Sequence, residues 1–390
     1  MNRGPGQTRL FTPGPVEIPA RVLRALSRPP PHHRTEEFRA TLLRVTEAMR
    51  ELHATRGEVF LLPASGTGAM EAAVANLMSP ARSALAIAGG KFGDRWAALL
   101  EAWGVPHRTL EVEWGRSVDP AAVERALEGA AIDTVFATHS ETSTGALHDI
   151  ESIARLTRSR GVRLVVDAIT SLGVHPLAQD DWGVDVVVCG SQKGLMIPPG
   201  LASVSLAPWA ASEIDETGLP RFYFDLRKAR RSLPSGETAF TPPVSLVLAL
   251  EESLAMIREE GLSNVHHRHA RLSAALQAAA ATLGFETFAA HPSHAVTALT
   301  PPPGIEAGAV VKRLRVSHGI VIAGGQDRLK GVILRAGHMG AYDLADIELL
   351  AGALEECVHA LTAGAAPAGS DAAPASGGAA RAARSAWEAA

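Results

Sequence analysis

Five short apolar runs, "VFLLPA", "ALAIAG", "TVFATHS", "RLVVDA" and "DVVVCG", occupy residues 59–64, 84–89, 134–140, 163–168 and 185–190, and helix-like stretches begin between them near Ala69, Asp94, Pro120 and Ile150. No other feature constrains the fold as tightly. Strands that alternate with helices must return through crossovers, and crossovers of that length favour parallel pairing. The runs are apolar throughout rather than at every second position, so both faces of the sheet need cover. The expected architecture is therefore α/β, a mostly parallel sheet sandwiched between helices. Such sheets bind ligands beyond the carboxyl ends of their strands.

Upstream, "TEEFRATLLRVTEAMRELHAT" (35–55) repeats apolar positions at spacings of three and four, the period of an amphipathic helix. Residues 1–19 are rich in Gly and Pro and read as an irregular arm, and 20–245 as the large domain. After "TPPVSLVLALEESLAMI" the texture changes to long Ala- and Leu-rich helices, then to the strand-like runs "AVTAL", "GIVIAGG" and "GVILRAG". That change predicts a smaller C-terminal α+β domain over 246–365. Residues 366–390 hold few large apolar side chains, which predicts a disordered tail.

Composition excludes several functions. A net charge of -4 offers no broad attraction to nucleic acid or to anionic lipid. No run approaches the roughly 18 apolar residues that span a bilayer, and the N-terminus shows no leader-like stretch, so the expected location is cytoplasmic and the expected partners are small molecules. The two cysteines, Cys189 and Cys357, form no metal or redox spacing and read as core thiols. His266 and His269 in "HHRH" lie one helical turn apart but lack an evident third ligand, so no metal is expected there and the segment reads as a solvated helix face.

Chemistry concentrates where the β-type runs stop. "VFLLPA" is followed by "SGTGAMEAAVANLM", a Gly-rich turn entering a helix whose first N–H groups could hold an anion, although Ser65 or Thr67 could equally serve as an ordinary cap. "RLVV" ends in Asp167, a carboxylate that is costly to bury without a cation or a donor, and that could also cap the following turn. "TVFAT" runs into the polar loop "HSETSTG", and "DVVVCG" into "SQK", ending on Lys193. Lys193 has no charged neighbour in sequence between Asp185 and Glu213.

Four loops thus meet at one sheet edge and supply an anion cradle, an acid, hydroxyl donors and an isolated lysine. Pyridoxal 5'-phosphate chemistry uses all four: the lysine binds the cofactor as a Schiff base, and the acid keeps the ring nitrogen protonated. Kept apart from carboxylates and near other cations, such a lysine has a lowered pKa and supplies neutral amine.

The motifs "SGTGAMEAA", "KFGDRW", "HSETSTG", "VVDAITSLG", "GSQKGLMIPPGL", "FTPPVSL" and "LRAGHMG", in this order, resemble those of the class V pyridoxal-phosphate aminotransferases, in the alanine-glyoxylate and serine-glyoxylate (serine-pyruvate) group. The resemblance runs from "FTPGP" at residue 11 to about residue 360. It implies fold type I, with a seven-stranded-type sheet in the large domain, and a homodimer whose active sites are built from both subunits. It further implies Lys193 as the Schiff-base lysine and Asp167 as partner of the pyridine nitrogen. Phe92 falls where an aromatic ring, frequently Trp, stacks on the cofactor. Ser65, Gly66, Thr67 and Gln192 fall at phosphate-contacting positions, and Thr142 where a hydroxyl meets the phenolic oxygen. Thr241 resembles the residue that reaches the phosphate from the neighbouring subunit. At Thr238 some members carry a phosphate-binding Tyr, so that contact is where this chain departs from the pattern. Arg335 matches the arginine that holds the substrate carboxylate, and Gly14 a backbone contact near the substrate.

The activity implied is transfer of an amino group from alanine or serine to glyoxylate or pyruvate. Alternatives are another small donor, 2-aminoethylphosphonate or ureidoglycine, and a noncatalytic subunit that keeps the fold. A cysteine desulfurase would need a mobile cysteine, which neither Cys189 nor Cys357 resembles.

Overall fold

The structure is a computed structural model that describes residues 8–216, 218–363 and 377–390. Seven strands form the large sheet: β1 (Glu58–Leu62), β2 (Ala84–Ala88), β3 (His107–Glu111), β4 (Thr134–Thr138), β5 (Arg163–Asp167), β6 (Val186–Gly190) and β7 (Ala202–Leu206). Their spatial order is β1-β7-β6-β5-β4-β2-β3. Only β7 runs against its neighbours, pairing antiparallel with β6 and with β1. Hence β1, β4, β5 and β6 all point their carboxyl ends at one edge. Strands β2, β4 and β6 are buried at every position, as their continuous apolar runs require, whereas the polar β3 closes the far edge.

Helices α1 (Ala20–Leu26), α2 (Glu36–His53), α3 (Gly66–Leu77), α4 (Lys91–Ala102), α5 (Pro120–Leu127) and α6 (Ile150–Ser159) accompany this sheet. Two apolar clusters result. One gathers Leu42, Val45, Met49, Leu164, Val166 and Val187; the other gathers Met70, Val74, Trp96, Phe136, Val165 and Val188. Alternate residues of β5 and β6 therefore feed opposite faces. Helix α2 starts at Thr35, whose hydroxyl accepts from Phe38 N (3.3 Å), and carries Glu36 and Glu37 in its first turn and Arg50 in its last, matching the helix dipole.

Helix α7 (Val244–Glu260) packs against α1 and α2, and Val247, Leu250, Leu254 and Ile257 join the first large cluster. The sequence reading assigned this helix to the second domain, but its apolar face is buried by the first. Beyond it, α8 (Leu262–Thr282), α9 (Ala307–His318), α10 (Leu344–Ala363) and α11 (Gly378–Ala389) pack around a four-stranded antiparallel sheet. That sheet comprises β8 (Glu286–Thr287), β9 (Val296–Thr300), β10 (Ala323–Gly324) and β11 (Leu334–Gly337), in the order β8-β9-β11-β10.

Both chain ends depart from the sequence reading. Arg9–Leu10 pairs in parallel with Ile320–Val321, and Phe11 exchanges backbone bonds with Val321 and Gly337. The arm is thus tied to the small sheet before it reaches Gly14. Within the tail expected to be disordered, 366–376 lies outside the described residues, but α11 is an ordered helix. Ala379 and Ala383 are fully buried against α8 and α10. Glu355 accepts from the N–H groups of Gly377 (3.0 Å) and Gly378 (3.2 Å), and Arg271 binds the Trp387 carbonyl while lying 4.0 Å from the Trp387 ring centre. Alanine has the highest helix propensity, and its small side chain lets helices approach closely, so a segment poor in large apolar residues still packs. No described helix is long and apolar enough to cross a membrane.

Candidate active site

Lys193 follows β6 and is 8% exposed. Its ammonium group donates to the carbonyl of Pro13, so the arm that arrives from the small sheet closes over it. Gly14, at φ +113°, packs directly on this side chain: a Cβ there would lie 2.6 Å from Lys193 Nζ. Burial pulls the amine from its usual range to about 8; Asp167 and Glu141 oppose that fall, while Arg335 and Arg95 add to it.

Asp167 ends β5 and is buried, with Oδ1 accepting from Ile169 N (2.8 Å). Desolvation raises this carboxyl to about 7, and the nearby Glu141 pushes in the same direction. An aspartate so placed becomes firmly ionised only when a cation is brought to it.

At the end of β1, Ser65 is the N-cap of α3 but its hydroxyl takes no bond from its own helix, leaving the first N–H groups at Gly66 and Thr67 without a side-chain acceptor. Gly66 is pressed against Ile169, the residue that binds Asp167, and any Cβ at Gly190 would meet Ile169, Gln192 Oε1 and Gly66 at 3.2 to 3.4 Å. Three strand ends therefore converge. Gln192 Oε1 is buried without a hydrogen-bond partner among the described residues. Its amide can present either end inward.

Thr142 is buried after β4, and its carbonyl accepts from Arg335 Nη1 (2.8 Å). Arg335 lies on β11, opposite Ala298 of β9, with its Nε bonded to Gly324 O (2.9 Å). It is 5% exposed, burial lowers its pKa to about 10, and it forms no salt bridge with a described residue. Phe92 sits in the first turn of α4, with the Arg95 guanidinium 4.8 Å from its ring centre.

Two candidates stay apart within one chain. Thr241 is exposed, and Thr238 donates its hydroxyl to Phe240 O (2.5 Å) beside Phe60, Leu62 and Tyr223. His269 also differs from expectation: it is buried, with Nδ1 near Val265 O (2.7 Å) and Nε2 accepting from Gly340 N (2.9 Å). Both ring nitrogens are committed to structure. Cys189 is a buried free thiol pushed up to about 12, unsuited to nucleophilic work at neutral pH.

Sequence reasoning missed two site residues. Glu141 is fully buried and accepts from Phe92 N (3.0 Å), Gly93 N (2.9 Å), Ser143 N (3.1 Å) and Ser143 Oγ (2.6 Å). Arg95 donates to Thr67 Oγ1 (3.1 Å), adding positive charge beside the start of α3. The available signal was "AGGKFG": a helix preceded by Gly-Gly has no capping side chain of its own and must find one elsewhere.

These residues fit pyridoxal phosphate on their own chemistry. The open N-terminus of α3, the buried Gln192 amide and Arg95 suit a phosphate; the under-satisfied Asp167 suits a protonated ring nitrogen; Lys193 suits the aldehyde.

The family model described as aminotransferase class-V matches residues 10–341. A soluble hydrogenase small subunit from Synechococcus sp. is 42% identical over 352 residues, covering 89% of this chain and 91% of the relative. A serine–glyoxylate aminotransferase from Methylorubrum extorquens is 35% identical over 362 residues, covering 89% and 90%. The solved ureidoglycine–glyoxylate aminotransferase of Bacillus subtilis superposes with a TM-score of 0.90 at 27% identity, covering 100% of both chains. The chain belongs to the class V aminotransferases and is a pyridoxal-phosphate-dependent transaminase.

Proposed function

We propose that this transaminase moves an amino group from a small amino acid, alanine or serine, to a small 2-oxo acid, glyoxylate before pyruvate, using Lys193 as the cofactor-bearing residue. The observation that carries the reading is Arg335: a buried guanidinium, held in place by two backbone carbonyls and lacking a carboxylate partner among the described residues, beside a lysine whose amine burial has lowered to about 8. A planar fork left positive in that setting is built for a carboxylate brought by the substrate. Glyoxylate is favoured as acceptor because two of the matched proteins, with different donors in their names, share it.

The bound cofactor supplies an aldehyde that exchanges amino groups and a ring that accepts the electron pair left at the substrate Cα. Arg335 fixes the donor by its carboxylate. The Asp167 carboxylate would hold the proton on the ring nitrogen, and that ion pair would return the aspartate to its charged state. Lys193 Nζ, once freed by the incoming amino group, would take the proton from the donor Cα and would hand it to the carbon that the cofactor's aldehyde supplies, two atoms away. Ser65, Gly66, Thr67 and Gln192 would hold the phosphate, Phe92 would stack on the ring, and Thr142 would meet the phenolic oxygen. Gly14 leaves room for Lys193 and lines the substrate side. Thr241, exposed in one chain, would serve the phosphate of the partner in a homodimer, whereas the Thr238 hydroxyl is already engaged with Phe240 O.

A panel of donors against glyoxylate and pyruvate tests the substrate. Alanine or serine with glyoxylate should give the highest kcat/KM; turnover confined to an aminophosphonate, ureidoglycine or an aromatic donor would overturn the assignment. Purified protein that binds no pyridoxal phosphate at all would favour the noncatalytic subunit instead.

A further inference from the structure

We infer that Glu141 is a positioning residue whose single carboxylate locks Phe92 of α4, Thr142 of the β4 loop and Arg335 of the small sheet into one unit. This rests on the roles proposed above for those three residues. Oε2 takes the N–H groups of Phe92 and Gly93, and Oε1 takes both the N–H and the hydroxyl of Ser143. The Ser143 hydroxyl oxygen in turn accepts from Lys91 N (3.0 Å). Three successive N–H groups at the start of α4 are thereby satisfied from a loop about fifty residues away in sequence. The helix's own N-cap, Gly90, contributes no side chain. Nor does it have room for one: a Cβ at Gly90 would lie 2.5 Å from Glu141 Cγ and 2.6 Å from Ser143 Oγ.

Charge state follows from counting. Four donors converge on the two oxygens, three of them backbone N–H groups that can only donate, and this set favours the ionised carboxylate over the acid. Burial outweighs the four hydrogen bonds and leaves its pKa above the usual carboxylate range. The negative charge at the N-terminus of α4 also matches the helix dipole.

Each consequence falls on a residue of the proposed reaction. Phe92 is held through its own N–H, which fixes the backbone that aims its ring. Thr142 lies between Glu141 and Ser143, both clamped, and its carbonyl is the one that holds Arg335 Nη1 (2.8 Å). Glu141 is also the charge that favours the Arg335 guanidinium against burial. The charged groups that act on Lys193 are Asp167 and Glu141, which favour its protonation, and Arg335 and Arg95, which oppose it. Removing the Glu141 charge therefore shifts proton uptake at Lys193 to lower pH.

The test compares full-length wild type, Glu141→Gln, Ser143→Ala and Lys193→Ala. Pyridoxal phosphate affinity is read by quenching of tryptophan fluorescence on titrating apo protein, and the pH midpoint by the visible absorption of the loaded protein. Glu141→Gln, which places an amide N–H2 against donors, should weaken cofactor binding about tenfold to a hundredfold and lower the pH midpoint. Ser143→Ala keeps the charge and should weaken binding less, with the midpoint unchanged. A Glu141→Gln protein that loses thermal stability but keeps both affinity and midpoint would overturn the inference. If that variant does not fold, wild-type affinity in Ser143→Ala does so. Lys193→Ala separates the two layers: retention of the lysine-linked visible band there refutes the underlying reading, whereas its loss beside an unaffected Glu141→Gln refutes only the role of Glu141.

Discussion

Replacing Lys193 by Met should make the cofactor-free protein more stable at neutral pH while abolishing turnover. The native state holds the Lys193 amine at about 8, against 10.5 for a free lysine, because burial penalises the charged form. At about 1.36 kcal/mol per pKa unit, that difference costs the folded state about 3 kcal/mol at pH 7. Methionine has similar length, fills the same space and carries no charge, but gives up the hydrogen bond to the Pro13 carbonyl, worth about 1 kcal/mol. A net gain of about 2 kcal/mol remains. The pH dependence fixes its origin. Between about pH 8 and 10.5 the unfolded chain keeps a proton that the folded chain has released, so wild-type stability from this group rises with pH through that window. The variant has no such rise, and the gap closes by pH 10.5. Urea unfolding of both apo proteins at pH 7 and pH 10.5, at one protein concentration, reads both effects as midpoints. A Lys193→Met midpoint at or below wild type at pH 7, or a gap that persists unchanged at pH 10.5, would refute the claim that Lys193 is held against its charge.

Three further outcomes follow from the site. Gly14→Ala should weaken cofactor binding at least tenfold, because its Cβ would sit 2.6 Å from Lys193 Nζ on a backbone at φ +113°; unchanged affinity in a titration would show that the arm is not fixed there. Arg335→Lys should raise the KM for the amino donor by tenfold or more at similar cofactor affinity, since an ammonium group cannot form the paired bonds of a guanidinium; steady-state kinetics with alanine and serine decide this. Ending the chain at residue 363 should lower the melting temperature by uncovering the α8 and α10 surfaces now buried by Ala379 and Ala383, and calorimetry of the truncated protein that matched full length would show the helix to be dispensable.

Five strands of the large sheet were legible because they carry nearly unbroken apolar runs, whereas β7, buried but interrupted by Ser203 and Ser205, and the polar edge strand β3 carry no such signal; the candidate site was legible because a parallel sheet gathers its strand ends on one edge. Asp167 and Lys193 announced themselves as charged residues directly after such runs. Glu141 did not, although it sits in the same kind of loop: its function is to cap a helix that begins with Gly90, and that pairing exists only in three dimensions. Arg95 was hidden for the opposite reason, since an arginine within a helix has an ordinary reading on a solvated face. The placement of α7 failed because its apolar stripe says that it must be covered but not by which layer. The C-terminal helix failed because low side-chain volume was equated with inability to pack, whereas the alanine face of α11 needs only closely approaching neighbours.

The central claim is that Lys193 carries the cofactor, and the chain offers only four other lysines, Lys91, Lys228, Lys312 and Lys330. Reducing the loaded protein with borohydride and mapping its peptides by mass spectrometry gives the most direct answer. A pyridoxyl group found on the peptide containing Lys193 and on no other is the result expected. A group fixed on another lysine, with Lys193 unmodified, would contradict the account.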